Sequence, residues 1–396
     1  SKMKNLPELK DLEKCVRCGS CKAYCPTYDE DNTEAMGARG RLALLRGLLL
    51  QELKPTPLLN EKIFSCILCE ACSGLCPNGV DITENIYRGR NMLRQGDKRR
   101  KYLRLLAKFF ISNPDLSYKM LQMSQYILFP YLLKKGIISS NFKLPGSSLK
   151  ERTQVYKVQK RRGRVAVFTG CVTNFLYPHL GLSLLNILLK SGYEVIVPGG
   201  EVCCGMPLRA LGLEEEAREL AKRNMRIFGK LKAEAVLSLC PTCVSVIKNQ
   251  YPKIINSGIS NAMDVSSFLL ERLDFAQPSL FSQKYATVTY HDPCHLAYGL
   301  GIKDEPRNML KKIGANIIEK KENGCCGSGG LFSLTNKDIS GSLLKKQAES
   351  CLETGAAAVV TACPSCMMQL GRAITEIPVF HIIELIEEAY CDSDGV

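Results

Sequence analysis

The chain has 396 residues, with 53 Lys or Arg against 39 Asp or Glu for a formal charge of +14, and it carries 20 cysteines. With 45% hydrophobic and 23% charged residues it reads as a globular protein of about two to four domains, which excludes disordered, collagenous and low-complexity classes. The N-terminal SKMKNLPELKDLEK lacks the apolar core of a secretory signal and no apolar run reaches ~18 residues free of charge, so the expectation is a cytoplasmic protein that does not span a membrane.

In a reducing compartment clustered cysteines more often bind metal than form disulfides. Here 18 of the 20 fall into four ordered groups. The first is Cys15, Cys18, Cys21 and Cys25, followed by Pro26, and the second is Cys66, Cys69, Cys72 and Cys76, followed by Pro77; both spell C-x2-C-x2-C-x3-C-P. Three thiolates at two-residue gaps can wrap three irons of one cube, while the fourth, held by Pro, points away and usually completes the other cube. The expected ligand sets are therefore Cys15, Cys18, Cys21 and Cys76 for one 4Fe-4S cluster, and Cys66, Cys69, Cys72 and Cys25 for another. Paired zinc knuckles would leave the middle Cys and the prolines unexplained. Between and behind the runs, Arg41 to Leu53 and Ile86 to Leu93 read as helices, which predicts an α-helical ferredoxin domain over residues 1–97.

Residues 98–162 form a helical basic linker. Its segment KYLRLLAKFFISNPDLSYKMLQMSQYILFPYLLKKG is rich in Leu, Phe, Tyr and Met at helical spacing, and Pro114 and Pro130 are expected to cut it into pieces too short to span a bilayer. Packing across the domains is its expected role, and an amphipathic face lying on a membrane or partner is the alternative. The basic patches Lys98-Arg99-Arg100-Lys101, Lys134-Lys135 and Lys157 to Arg164 lack interleaved aromatic residues, which argues for an acidic partner or anionic membrane surface rather than nucleic acid.

The remaining groups have a different design. Cys171 is followed after 31 residues by Cys203-Cys204-Gly205, and after 34 more by Cys240-Pro241-Thr242-Cys243. Cys294 is followed after 30 residues by Cys325-Cys326-Gly327, and after 35 more by Cys363-Pro364-Ser365-Cys366. The offsets between copies are 123, 122, 122, 123 and 123, an internal duplication that sets two modules over 163–277 and 278–396. In the first, strands are expected at Val165 to Thr169, Glu194 to Val197 and Ala235 to Leu239, with helices at Leu182 to Lys190 and Glu214 to Gly229. The second repeats the plan with strands Ala286 to Tyr290, Asn316 to Glu319 and Ala357 to Thr361, and helices Pro306 to Ile313 and Lys337 to Glu353. Alternating strand and helix predicts two small parallel α/β units after the helical domain, so the fold class is α+β multidomain. Ligands of such sheets gather beyond the carboxyl ends of the strands, so Cys171, Cys240, Cys294 and Cys363 should converge.

Each module offers five thiolates: Cys171, Cys203, Cys204, Cys240 and Cys243 in the first, and Cys294, Cys325, Cys326, Cys363 and Cys366 in the second. Five exceed what a cubane or zinc site requires, and a pentad with a vicinal pair points to a non-cubane iron-sulfur cluster with bridging thiolates. A four-thiolate zinc or cubane site with a spare Cys is the alternative, and a vicinal redox disulfide is disfavoured by ring strain.

In this order of motifs the chain resembles the iron-sulfur subunit of glycolate oxidase and its lactate- and glycerol-3-phosphate-dehydrogenase relatives, and the catalytic subunit of membrane-linked heterodisulfide reductases. Arg39-Gly40-Arg41, His291-Asp292-Pro293-Cys294-His295 and Cys325-Cys326-Gly327-Ser328-Gly329-Gly330 are similar to the glycolate-oxidase branch, whereas two complete pentads are what the heterodisulfide-reductase branch would need. The resemblance implies two cubane clusters, one or two further clusters in the Cys-Cys-Gly (CCG) modules, and a partner FAD-containing dehydrogenase subunit oxidising a 2-hydroxy acid. Electrons would pass to a quinone, an electron-transfer flavoprotein or a membrane cytochrome subunit, at the inner face of the cytoplasmic membrane. The alternative is a subunit that itself reduces a disulfide.

The chain has no G-x-G-x-x-G fingerprint, so no flavin is expected in it. His291 and His295 flank Cys294, where support of a sulfur or core packing is expected before ligation. His179 and His381 are assigned no role, no catalytic residue is assigned, and Cys351 and Cys391 are expected to be free structural thiols.

Overall fold

A computed structural model of the chain describes residues 7–134, 144–273 and 285–391. The expected boundary at 277–278 and Lys135 lie outside the described residues.

Among the described residues up to 134 every regular element is a helix. Helix Ala38–Leu49 carries Leu42 and Leu45 into a core with Leu59, Ile63 and Ile86. It ends four residues before the expected Leu53, because Gln51 turns left-handed at φ 60° and the Leu53 N–H closes back on the Gly47 carbonyl at 3.0 Å. The next helix, Pro57–Phe64, starts where Thr56 Oγ1 accepts from the Leu59 N–H at 3.1 Å and Pro57 takes the first position. Helix Ile82–Leu93 is capped by Asp81, which accepts from the Glu84 N–H at 3.1 Å.

Two helices, Lys101–Ser112 and Pro114–Lys134, form the connector. Arg104 and Ala107 are buried, and Arg104 donates to the Leu211 carbonyl at 2.9 Å and to Asp97 Oδ2 at 2.8 Å. The expected packing holds for this face only, since Tyr102, Leu105, Leu106 and Phe109 are exposed. Pro130 does not break the second helix as expected; it falls in the last turns, where the missing N–H removes one bond from a ladder already ending. Among the described residues no helix is long and apolar enough to cross a membrane.

The first sheet contains β1 (Gln154–Tyr156), β2 (Gly163–Val167), β3 (Tyr193–Val197), β4 (Ala235–Ser238) and β5 (Ala262–Asp264), in the order β1-β3-β2-β4-β5. The second contains β6 (Thr287–His291), β7 (Asn316–Ile317), β8 (Ala358–Thr361) and β9 (Val379–His381), in the order β7-β6-β8-β9. All pairings are parallel except β1 with β3. The inner strands β4 and β8 are buried at every residue, which is why they read as continuous apolar runs rather than alternation. Edge strands β1, β5 and β9, three residues each, are too short to carry a readable period, and β7 stops two residues before the expected Glu319.

Helices Pro178–Lys190 and Ile382–Cys391, one from each module, pack together and give the two sheets a common core through Leu184, Ile187, Ile383 and Ile386. Across that seam Asn186 Nδ2 donates to Glu387 Oε1 at 2.7 Å and Lys190 Nζ to the Tyr390 carbonyl at 2.8 Å. His381, at the end of β9, donates from Nε2 to the Leu239 carbonyl of the other module at 3.1 Å.

Candidate metal centres

The loop of the first cysteine run turns on left-handed Arg17 (φ 58°) and Gly19 (φ 89°), on either side of Cys18. The second repeats this with Leu68 (φ 61°) and Glu70 (φ 64°) around Cys69. Non-glycine residues hold such torsions only when the surroundings impose them, and here the turns bring the sulfurs inward. One small cavity is lined by Cys15, Cys18, Cys21 and Cys76, with Gly19 and Pro77. A second is lined by Cys25, Cys66, Cys69 and Cys72, with Thr27 and Arg41.

Arginines, most of them buried, brace these loops. Arg41 donates from Nε to the Lys62 carbonyl at 2.7 Å and from Nη1 to Thr27 Oγ1 at 3.0 Å, and Thr27 Oγ1 lies 3.4 Å from Cys25 Sγ. Arg39 donates to Glu34 at 2.6 Å and to the Arg17 carbonyl at 2.9 Å, and this partnership holds the Glu34 carboxyl down at about 2. Arg90 reaches the carbonyls of Phe64 (3.2 Å), Cys66 and, across the domain boundary, Ala210 (2.8 Å). Arg209 answers from the first module, donating to Glu84 at 2.9 Å and Glu214 at 3.0 Å with its side chain wholly buried.

All ten module cysteines line a single cavity of ≈ 100 Å³. In the first module Cys203 pairs with Cys171 while its neighbour Cys204 pairs with Cys243. The second repeats the split, Cys325 pairing with Cys294 and Cys326 with Cys366, whose sulfurs are 3.4 Å apart. Adjacent cysteines thus address opposite partners, as Gly205 (φ 95°) and Gly327 (φ 81°) allow; a β-carbon on Gly327 would sit 2.6 Å from the Ser340 carbonyl oxygen. The two pentads touch where Cys240 pairs with Cys363. Among the described residues no two cysteines form a disulfide; Cys351 is buried in helix Lys337–Leu352 and Cys391 is half-buried.

Burial first, and then the neighbouring sulfurs of Cys294 and Cys66, push the thiols of Cys69 and Cys72 well up. Cys325 and Cys366 are pushed up by hydrogen bonding to Cys294 and Cys326. So many sulfurs cannot ionise together in a buried space without a compensating cation, and the all-sulfur donor set suits iron or zinc.

The second module supplies two cations of its own. Lys320 Nζ lies 3.2 Å from His291 Nδ1 and donates to Gln347 Oε1 at 2.9 Å. An ammonium can only donate, so Nδ1 accepts and the hydrogen rests on the otherwise unpartnered Nε2. A ring nitrogen of His291 and the sulfurs of Cys326 and Cys366 lie within 4.8 Å of one another. His295 has Nδ1 3.6 Å from Cys294 Sγ and 3.2 Å from Thr242 Oγ1; burial works against its charge, but Cys294 and Glu70 carry it up to about 9.

The second ferredoxin loop abuts this module: Ile67 and Cys69 pack with Cys325 and Phe332, and Cys69 is an electrostatic neighbour of Cys294. Glu70 ties the same loop to the first module, accepting from Ser245 Oγ at 3.0 Å and Gln250 Nε2 at 3.1 Å. Sequence reasoning singled out Arg41 only as part of a motif, without its bracing role, and missed Glu70, Arg90, Arg209 and Lys320. No local signal marked them: in Ile82–Leu93, Arg90 stands among Thr83, Glu84, Asn85, Arg88 and Asn91 and reads as one more solvated side chain.

Comparison with known proteins gives a family described as a 4Fe-4S dicluster domain over residues 11–80, and one described as a cysteine-rich domain over residues 165–248 and again 288–371. The chain is 30% identical to one of the subunits of the fumarate reductase (CoM/CoB) of Methanothermobacter marburgensis, over 99% of its own length and 75% of that protein. It is 27% identical to one of the subunits of the dihydromethanophenazine:CoB–CoM heterodisulfide reductase of Methanosarcina barkeri, covering 96% and 95% of the two chains. The glycolate oxidase iron-sulfur subunit of Escherichia coli is 26% identical over 96% and 94%. A solved structure of a hypothetical protein from Helicobacter pylori shares the fold, with TM-score 0.52 at 12% identity over all of this chain and 74% of that one.

Proposed function

The chain belongs to the family of iron-sulfur subunits of oxidoreductase complexes that includes those of glycolate oxidase and heterodisulfide reductase, and from that premise we propose that it is the electron-transfer subunit of an FAD-linked 2-hydroxyacid dehydrogenase complex. The observation that carries this reading is the unbroken succession of cysteines: exposed Cys18 at the surface, Cys72 neighbouring both Cys66 and Cys21, Cys69 beside Cys294, and then the ten-cysteine cavity.

Cys15, Cys18, Cys21 and Cys76 would hold one 4Fe-4S cluster, and Cys25, Cys66, Cys69 and Cys72 another. Each module pentad would hold a further, non-cubane cluster, with zinc in one module as the alternative. Such clusters supply reversible one-electron capacity, which matches a two-electron flavin to a one-electron chain. The protein's own residues bury most of the module sulfurs, brace the ferredoxin loops through Arg41 and Arg90, and set the field around the second module's thiolates through His291, His295 and Lys320. The domains run over 1–97, 98–162, 163–277 and 278–396, with the end of the linker, β1 at Gln154–Tyr156, added to the edge of the first module's sheet. The donor is an FAD-containing subunit on the cytoplasmic side, and the acceptor a quinone or carrier.

Purified without oxygen together with its companions, the protein should show a cluster absorption that bleaches when glycolate or lactate is added, with flavin in the preparation. A second reading, disulfide reduction, is favoured by the ten thiols facing one cavity. An unchanged spectrum with no flavin, together with reoxidation of the dithionite-reduced protein by a heterodisulfide, would replace the first reading with the second.

A further inference from the structure

A second cavity adjoins the cysteine sites and has no part in the arrangement described so far. It lies between the two connector helices and the first module, holds ≈ 180 Å³, and is walled mainly by Phe110, Tyr118, Leu121, Phe175 and Val202. An apolar cavity of about 150 Å³ accepts a benzene ring, so this one has room for a single substituted ring. Cys171 and Cys203 line both cavities, and a ring seated here would lie against the first module's sulfurs.

One polar group in this wall is unsatisfied. Ser117 is 6% exposed and its Oγ has no partner. A buried hydroxyl left alone is unfavourable, which a ligand offering an acceptor oxygen would relieve and a saturated chain would not. Outside, the connector exposes apolar residues at helical spacing, Tyr102, Leu105, Leu106 and Phe109 on one helix and Leu116, Met120 and Met123 on the other, beside exposed Lys101, Lys108 and Lys119. A ligand with an apolar tail fits this approach.

We propose that this cavity binds the ring of a quinone, a lipophilic cyclic dione, with the Ser117 hydroxyl donating to one carbonyl oxygen and the ring edge against Cys171 and Cys203. The inference rests on the electron-transfer reading and assigns that reading's acceptor a place. Reduction of the ring consumes two electrons, supplied by the reduced protein, and two protons, supplied by water; two O–H bonds form and the dione becomes a dihydroxy ring.

The test uses the complete iron-loaded protein. Equilibrium dialysis of the oxidised form against a short-chain naphthoquinone should show one ring bound per chain, and Ser117→Ala should weaken it about three- to tenfold, the worth of one hydrogen bond. After dithionite reduction, Leu121→Trp, which fills the cavity, should slow reoxidation by the quinone tenfold or more while reoxidation by ferricyanide keeps its rate. Unaltered quinone binding and reoxidation in both variants would overturn the proposal. Should Leu121→Trp lose the cluster spectrum, Ser117→Ala decides. If the wild type is reoxidised by ferricyanide but neither binds nor reacts with the quinone, this proposal falls while the electron-transfer reading stands; a protein that forms no cluster spectrum overturns both.

Discussion

Following β2 the first module reads Phe168-Thr169-Gly170-Cys171-Val172; at the same place, starting from the last residue of β6, the second reads His291-Asp292-Pro293-Cys294-His295. In the first, the Glu201 carboxylate ties the loop by accepting from the N–H groups of Thr169 (3.0 Å) and Gly170 (2.7 Å). In the second, Asp292 accepts two hydrogen bonds from Arg307, at 2.7 and 2.8 Å, and Arg307 also donates to Glu319. After the vicinal cysteines the first module places Arg209, which grips Glu84 of the ferredoxin domain. The second places Leu331 at that offset, and its Gly329 comes so near that a β-carbon would sit 2.7 Å from Ile67 Cγ1. Duplication thus reproduces the sulfurs, while their neighbours differ: the first module opens to an apolar cavity and meets the ferredoxin domain through polar contacts of Arg209, Ser245 and Gln250, whereas the second sets His291, His295 and Lys320 around its sulfurs and meets the ferredoxin loop through apolar packing on Ile67.

The largest test of this contrast removes a sulfur from each side in turn. Cys204→Ser and Cys326→Ser should each cost the iron and sulfide of its own module and leave the other three sites intact, as read by metal analysis and electron paramagnetic resonance. Loss of both module signals in either variant would mean one shared centre across the Cys240–Cys363 contact. Next in size is the docking arginine. Arg209→Met leaves buried Glu84 with only the partly exposed Arg88 beside it and half-buried Glu214 without its partner, and should destabilise the protein by about 3 kcal/mol, whereas Leu331→Ala at the equivalent position should cost about 1–2 kcal/mol; chemical denaturation compares them.

A subtler exchange gives the second module the residue of the first. His291→Phe removes the Nε2–H beside Cys326 and Cys366, which favours the more negative, reduced state, so the reduction potential of the second module should fall in a redox titration while the first keeps its value. An unchanged potential would make His291 a packing residue only.

The smallest effect concerns pH. Asp264 ends β5 and His381 ends β9, both fully buried. Burial raises Asp264 from 3.8 to about 6, so its contribution to stability is present below pH 3.8 and lost as pH rises through 6. Burial lowers His381 from 6.5 to about 4, and its Nδ1 already accepts from the Ile383 N–H at 3.2 Å, so its contribution is present above pH 6.5 and lost as pH falls through 4. Each amounts to ~3 kcal/mol at most, and in the wild type they oppose one another. Asp264→Asn should therefore leave a melting temperature that falls on acidification between pH 6.5 and 4, and His381→Gln one that falls as pH rises over the same interval; parallel profiles would sink the idea.

Much of this was legible locally. The duplicated spacing set the number and grouping of the cysteines, and the inner strands and long helices lie close to where the hydrophobic periods put them, as with β3 and helix Glu214–Phe228. The three-residue edge strands were not legible, nor was the continuation of the connector helix through Pro130. The buried arginines were unreadable because a cation in a helix looks solvated until its carbonyl partners are known, and those of Arg90 lie as far away as Ala210.

What the sequence determined by itself is what depends on neighbours within a few turns of chain: periodicity, turn residues, and how many thiols each loop presents. Only the tertiary structure decided that ten cysteines share one cavity, that Cys69 stands beside Cys294, and that an apolar pocket reaches Cys171. Those relations join segments far apart in the chain, from Tyr118 and Cys171 to Cys69 and Cys294, and they are set by how the domains pack rather than by any local preference of the chain.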